Sequence, residues 1–280
     1  MILIADSGAS KTDWRVIDAK GQISQYRGLG FNPYYQDQED ITRSLQEDFF
    51  HQSEEGIKSV YYYGAGCSNI KNKILVKEAL QKQFKKAVIF VEHDLLAAAR
   101  STCGHEAGIA CILGTGSNSC DYNGKDIINS RPSPGFILGD EGGGAYIGKQ
   151  FLKDFIYEEM PAHISEKVKE HYALDYTQIL ENVYQKPFPG RYMASFCRFI
   201  TQHKADPYCY NLVYQAFKDF FAKHVQKYPN HTQKKVNFVG SIAHYNSDIL
   251  RKAAADLDIH ANIIIESPIA GLTLFHQANP

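Results

Sequence analysis

Ile2-Leu-Ile-Ala-Asp6-Ser-Gly8-Ala-Ser10-Lys11-Thr12-Asp13 and Ala110-Cys-Ile-Leu-Gly114-Thr115-Gly116-Ser-Asn-Ser-Cys-Asp121 share one design. Each is an apolar run of strand length, a turn of small residues, and a more polar strand. Each is closed by a second turn, Ala19-Lys-Gly21 in the first case and Asn123-Gly-Lys125 in the second. Two turns in register in both halves imply a duplicated βββ unit, with a boundary between residues 102 and 106.

Working outward, Ile23 to Arg27 reads as a third strand of an antiparallel meander. Ile41, Leu45, Asp48 and Phe49 then recur at helical spacing, ahead of the strand-like Ser59-Val-Tyr-Tyr-Tyr63. Ile70, Ile74, Leu75 and Leu80 mark a second helix, Ala87 to Val91 a strand, and Leu95 to Ser101 an Ala-rich helix. Strands that alternate with helices after a meander predict an α/β layer architecture. From Tyr146 to Tyr228 the pattern is helical, punctuated by prolines. Strand-like Lys235 to Val239 and Ala261 to Ile265 follow, each leading into a helix. The expectation is two α/β domains of βββαβα order, residues 1–104 and 105–280. The second carries a helical insertion, and the last helix, 268–280, is expected to pack back on the first domain.

The 280 residues are 44% hydrophobic and 22% charged, enough for a sizeable core and unlike a disordered or fibrous chain. Thirty basic and 31 acidic side chains give a net charge of −1, without the basic excess a nucleic-acid partner asks for. The apolar opening stops at Asp6 and lacks a basic flank, so it does not read as a secretion signal. No apolar run approaches the ~20 residues of a membrane helix. The six cysteines never form a C-x-x-C pair, and several lie in apolar stretches, as small buried hydrophobes in a reducing compartment do. A cytoplasmic protein with no membrane or nucleic-acid partner is expected.

The two turns concentrate backbone N–H groups and hydroxyls where a chain approaches an anion closely. Gly8, Ser10, Lys11 and Thr12 in the first, with Gly114, Thr115 and Gly116 in the second, suit a polyphosphate gripped from both sides of a cleft. Asp6, at the end of the first strand, suits a hydrated Mg²⁺, which needs few protein carboxylates. The first turn reads equally as an ordinary hairpin with Gly8 supplying a positive φ. Neither a Walker A loop nor a dinucleotide-binding G-x-G-x-x-G is present. Asp94 lies where an apolar strand meets a helix. There it serves either as a helix cap or as a carboxylate facing a cleft and accepting a proton from an attacking hydroxyl. Gly139-Asp140-Glu141-Gly-Gly-Gly144 is a loop, readable as a plain acidic turn.

Taken in order, these motifs resemble those of the actin–hexokinase superfamily. Within it the likeness is to the group of N-acetylglucosamine kinases and the ATPase activators of benzoyl-CoA reductase and hydroxyacyl-CoA dehydratase. Asp6-Ser-Gly-Ala-Ser-Lys-Thr12 is similar to their first phosphate motif, with Ser7 and Ser10 as departures. Gly114-Thr-Gly-Ser-Asn118 matches the second, and Phe238-Val-Gly240-Ser241-Ile the adenosine motif, with Ser241 replacing a glycine. The resemblance implies a two-domain ribonuclease H-like (actin-like ATPase) fold with ATP and Mg²⁺ as cofactors.

It also implies an amino sugar as substrate, N-acetylglucosamine first, with Asp94 as general base. Asp140, from a motif resembling Gly-Asp-Glu-Gly-Ser, would line the sugar site with Thr115. Asn32, otherwise a turn residue before Pro33, would hold a sugar hydroxyl. Kinases of this kind are often homodimers, and the stripe Tyr210, Tyr214, Phe217, Phe220, Phe221 reads as core or as a dimer surface. Two alternatives stand beside this: an ATPase driving an electron-transfer partner, and a catalytically inactive sugar- or nucleotide-binding protein. The activators hold a cluster by cysteines, and no cysteine spacing here supports one.

Overall fold

The computed structural model describes residues 1–8, 11–34, 36–47 and 56–278. Ser10 lies outside them, as do Asp48 and Phe49 of the expected helical spacing. The chain divides into two compact units. The first comprises residues 1–106, 124–126 and 267–280, and the second residues 107–123 and 127–266.

In the first unit, β1 (Ile2–Ser7), β2 (Lys11–Ile17) and β3 (Ile23–Leu29) form the antiparallel meander. After α1 (Gln38–Glu47), β4 (Ser59–Gly64) joins β1 in parallel. After α2 (Ile70–Gln83), β5 (Val88–His93) joins β4 in parallel, giving the order β3-β2-β1-β4-β5. Parallel neighbours need such crossovers. The helix start at α2 follows from Asn69, whose Oδ1 accepts the Asn72 N–H at 2.8 Å. Val76, Ala79 and Leu80, at i, i+3 and i+4, then bury one face against Leu3, Val60 and Ile89 of the same core.

The second unit repeats the plan. β6 (Gly108–Leu113), β7 (Ser117–Tyr122) and β8 (Ile127–Ser130) form the meander, and β9 (Val236–Val239) and β10 (Ala261–Ile265) add in parallel on the other side of β6. Its order, β10-β9-β6-β7-β8, is that of the first sheet read in reverse. The chain is therefore an α/β protein built on a duplicated unit of mixed sheets.

The helices α3 (Asp94–Cys103) in the first unit and α4 (Gly135–Leu138), α5 (Gly144–Ile156), α6 (Ala162–Tyr172), α7 (Tyr176–Tyr184), α8 (Pro189–Ser195), α9 (Cys197–Gln202) and α10 (Pro207–Lys223) in the second complete the chain up to β9. Between β9 and β10 lie α11 (Ser241–Tyr245) and α12 (Ser247–Ala255). Phe217, Phe220 and Phe221 of α10 are fully buried among Phe151, Phe238 and other residues of the second unit's core. The aromatic stripe is thus core over these three positions, and only Tyr210 and Tyr214 remain half-buried. After β10 the chain returns to the first unit as α13 (Ile269–Gln277). Gly271 lets it lie on α3, since a Cβ there would stand 2.2 Å from the Ser101 carbonyl oxygen. Cys67, Cys111, Cys120, Cys197 and Cys209 are buried, and burial pushes the Cys197 thiol up to about 12. Among the described residues no helix is long and apolar enough to cross a membrane.

Candidate active site

In the first unit the β1–β2 hairpin is closed by the Gly8 N–H on the Lys11 carbonyl at 2.9 Å. Lys11 keeps 56% of its side chain exposed, 3.1 Å from Asp13. Thr12 is fully buried. Its hydroxyl donates to the Leu29 carbonyl at 2.7 Å, so the 2.8 Å contact with Ser7 is one it accepts. Ser7 Oγ in turn accepts the Phe31 N–H at 3.3 Å. That chain of donors staples the hairpin to β3 and leaves only the backbone of Thr12 for a phosphate.

Asp6 pairs across the hairpin with Asp13 and accepts from Ser267 Oγ at 3.4 Å. Burial first, then the charges of Asp13 and Asp94, raise its pKa to about 7, with Lys11 and Ser267 opposing. A half-buried carboxylate pressed by two others either keeps its proton near neutral pH or is stabilised in its ionised form by a cation. Among the described residues no group of three or more His, Cys, Asp or Glu gathers as a metal cage. Mg²⁺ keeps several waters and takes one or two carboxylates with substrate phosphates, so Asp6 fits it.

β5 ends at His93, which is the cap of α3, and Asp94 is the first residue of the helix. Its Oδ1 accepts the Leu95 N–H at 2.9 Å. Burial raises the Asp94 pKa to about 6, against backbone hydrogen bonds from Leu95 and its own amide that lower it. Above that pH it is an ionised carboxylate of unusual basicity. Asn32 does what a residue before proline often does: its Oδ1 accepts the Tyr34 N–H at 3.1 Å. Its own N–H donates to Gln36 Oε1 at 2.8 Å. Among the described residues its Nδ2 amide carries no partner.

In the second unit the β6–β7 hairpin and the acidic loop form one piece. The Gly144 and Ala145 N–H groups, at the start of α5, donate to the Gly114 and Thr115 carbonyls, each at 2.8 Å. Asp140, 8% exposed and at φ +60°, accepts the Ser117 N–H at 3.3 Å and lies 3.5 Å from the Ser133 hydroxyl, which donates at 2.8 Å to the Ser117 carbonyl. Burial raises its pKa. The stacking requires glycines: a Cβ at Gly116 would lie 2.8 Å from Asp140 Oδ2, and one at Gly143 2.7 Å from the Gly116 carbonyl carbon. Thr115 stays exposed at the tip. Gly240, at φ +125°, caps α11 and abuts the base of this hairpin, where a Cβ would stand 2.2 Å from the Leu113 carbonyl oxygen. Ser241 beside it is exposed.

The first unit thus brings together Asp6, Gly8, Lys11 and Asp94, and the second Gly114 to Gly116, Asp140 and the Gly240–Ser241 turn. Sequence reasoning missed Ser267 on Asp6 and Ser133 beside Asp140, common residues in ordinary contexts with no local signal to mark them. Ser117 stood within the second phosphate motif, but its N–H on Asp140 is a contact across 23 residues that the motif does not announce.

Two mixed sheets of one order, each opening on a small-residue hairpin with an acidic residue near it, define an actin-like fold of the sugar-kinase class. A solved structure from Porphyromonas gingivalis, provisionally assigned as an N-acetylglucosamine kinase, is 37% identical to this chain. The likeness covers 100% of this chain and 99% of that one, at a TM-score of 0.95. The chain belongs to that family, the N-acetylglucosamine kinases among the actin-like sugar kinases. Two curated proteins match in part. The N-acetyl-D-glucosamine kinase of Dictyostelium discoideum is 24% identical over 164 residues, 53% of this chain and 51% of its own. The N-acetylmuramic acid/N-acetylglucosamine kinase of Clostridium acetobutylicum is 28% identical over 157 residues, with the same shares. The match spans about half the length of these curated relatives. No family model matches the chain.

Proposed function

We propose that this protein transfers the γ-phosphoryl group of ATP to a hydroxyl of an amino sugar, N-acetylglucosamine first among them. The observation that carries the proposal is Asp94, a carboxylate at the junction of β5 and α3 whose basicity burial has raised. Membership in a family named for this chemistry supports it.

In this reading Asp94 accepts the proton as the sugar oxygen attacks the γ-phosphorus and the bond to the β-phosphate oxygen breaks, releasing ADP. Asp140 and the Asn32 amide hold sugar hydroxyls, with Thr115 beside them. Gly8, Ser10, Lys11, the Thr12 backbone and Gly114 to Gly116 hold phosphates, and Gly240 and Ser241 the adenosine. Asp6 holds Mg²⁺, which when bound offsets charge on the phosphates. Phosphoryl transfer is mostly positioning and charge stabilisation, which the hairpins, the cation on Asp6 and one base would supply together. We place the protein in the cytoplasm as a homodimer, with contacts other than the buried Phe217, Phe220 and Phe221.

The test is sugar-dependent ADP release across N-acetylglucosamine, N-acetylmannosamine, N-acetylmuramic acid, glucosamine and glucose with Mg²⁺-ATP. Turnover with an N-acetylated amino sugar and little with glucose is expected. Absence of turnover with every sugar overturns the proposal.

A further inference from the structure

The buried residues of α2 are Asn72, Val76, Ala79 and Leu80, one row at i, i+4, i+7 and i+8. Asn72 is the polar member of that row and is 6% exposed. A side-chain amide in such a place costs desolvation unless it finds a hydrogen-bond partner. Its partner lies outside the helix. Asn72 Nδ2 donates to the Gly66 carbonyl at 2.8 Å, and since a carbonyl only accepts, the amide nitrogen is the atom that faces it.

Gly66 lies in the turn between β4 and α2, at φ +79°. This turn packs on the loop that carries Asn32. A Cβ on Gly66 would stand 2.7 Å from Asn32 Oδ1 and 3.0 Å from Pro33 Cδ. From the same loop the Tyr34 hydroxyl accepts from Asn69 Nδ2 at 3.4 Å and lies 3.2 Å from Ser68 Oγ. At its start the turn is tied to β1, because the Ala65 N–H donates to the Ser7 carbonyl at 2.9 Å. Cys67, the next residue after Gly66, is fully buried and within reach of the Asp94 charge. Burial first, then Asp94, raises its pKa to about 12, with Lys73 opposing.

We infer that Asn72 is a positioning residue for the Asn32 side of the site: its amide fixes the Gly66 carbonyl, and with it the turn on which Asn32 rests. Gly66 has a left-handed backbone and no side chain to anchor it, so its peptide groups must be held by their partners. The Asn72 amide is such a partner, presented by a helix whose next turns are fixed in the core. The restraint on the turn stands on these contacts. Its consequence for sugar binding rests on the reading of Asn32 given above.

The test pairs hydrogen exchange with kinetics in Asn72→Leu, which keeps the row filled but removes the donor. The Ala65 and Cys67 amides, bonded to the Ser7 and Gly64 carbonyls, should exchange roughly tenfold faster than in the wild type, as loss of one ordinary hydrogen bond implies. The KM for the sugar should rise by a similar factor, about tenfold, while the KM for ATP stays within about twofold. Should Asn72→Leu fail to fold, Asn72→Ser, whose shorter side chain falls short of the carbonyl, is expected to give the same pattern. Wild-type exchange at Ala65 and Cys67 in a folded variant overturns the inference. So does faster exchange with an unchanged sugar KM, or an equal rise in both KM values. If the wild type phosphorylates no sugar, the kinase reading falls, while the exchange result still judges Asn72.

Discussion

Asp6→Asn should stabilise the protein while abolishing its activity. The Asp6 carboxyl moves from 3.8 to about 7, through burial and the charges of Asp13 and Asp94. A raised folded-state pKa means that the folded protein holds the proton more tightly than the unfolded chain. The neutral acid therefore costs nothing below pH 3.8, the penalty grows as pH rises from there to about 7, and it is complete above 7. About three units at about 1.4 kcal/mol each set an upper bound of about 4 kcal/mol. Solvent reaching a partly exposed carboxylate brings this to about 2 kcal/mol. The Asn variant keeps the Ser267 contact and loses the charge. Its melting temperature at pH 8 should rise by about 5 °C, and the gain should shrink steadily toward pH 4. Differential scanning calorimetry from pH 4 to 8 reads this directly. A gain of the same size at every pH, or a loss at pH 8, refutes the argument that Asp6 is destabilised for the sake of a cation.

The other variants probe the hairpins and the base. Thr12→Val removes the donor to Leu29 and the acceptor for Ser7, and should cost about 1–3 kcal/mol in urea unfolding. A cost under about 0.5 kcal/mol would deny it the stapling role. Gly116→Ala places a methyl 2.8 Å from Asp140 Oδ2, so the KM for the sugar should rise roughly tenfold through displacement of that carboxylate. An unchanged sugar KM would separate Asp140 from sugar binding. The pH profile of kcat/KM should fall on the acid side with an apparent pKa between about 6 and about 7, a value belonging to Asp94 and Asp6 as a coupled pair. A profile flat from pH 5 to 8 counts against both.

The hairpins were legible because strand, turn and strand are local events, and their duplication exposed both sheets at once. Asp94 was legible for the same reason, although His93 rather than Asp94 caps the helix. Partners distant in the chain leave no such local mark. Ser267 reaches Asp6 from 261 residues away, and His224 stands opposite Glu141 across most of the helical insertion. The stripe on α10 suited core and surface equally, since periodicity reports an apolar face and not what covers it. The insertion supplied the cover, burying Phe217, Phe220 and Phe221. Asn32 shows the limit from the other side: its turn bond is in place, yet that bond uses only Oδ1, so the turn reading and the sugar reading do not exclude each other.

The most direct measurement compares sugar-dependent ADP release by the wild type and Asp94→Asn, with ATP binding followed by calorimetry and folding by thermal melts. Asparagine retains an oxygen for the Leu95 N–H but cannot take a proton at neutral pH. The account predicts a fall of ~10²–10⁴-fold in turnover, with ATP affinity within twofold and little change in melting temperature. A folded Asp94→Asn protein with full sugar-dependent turnover would contradict it.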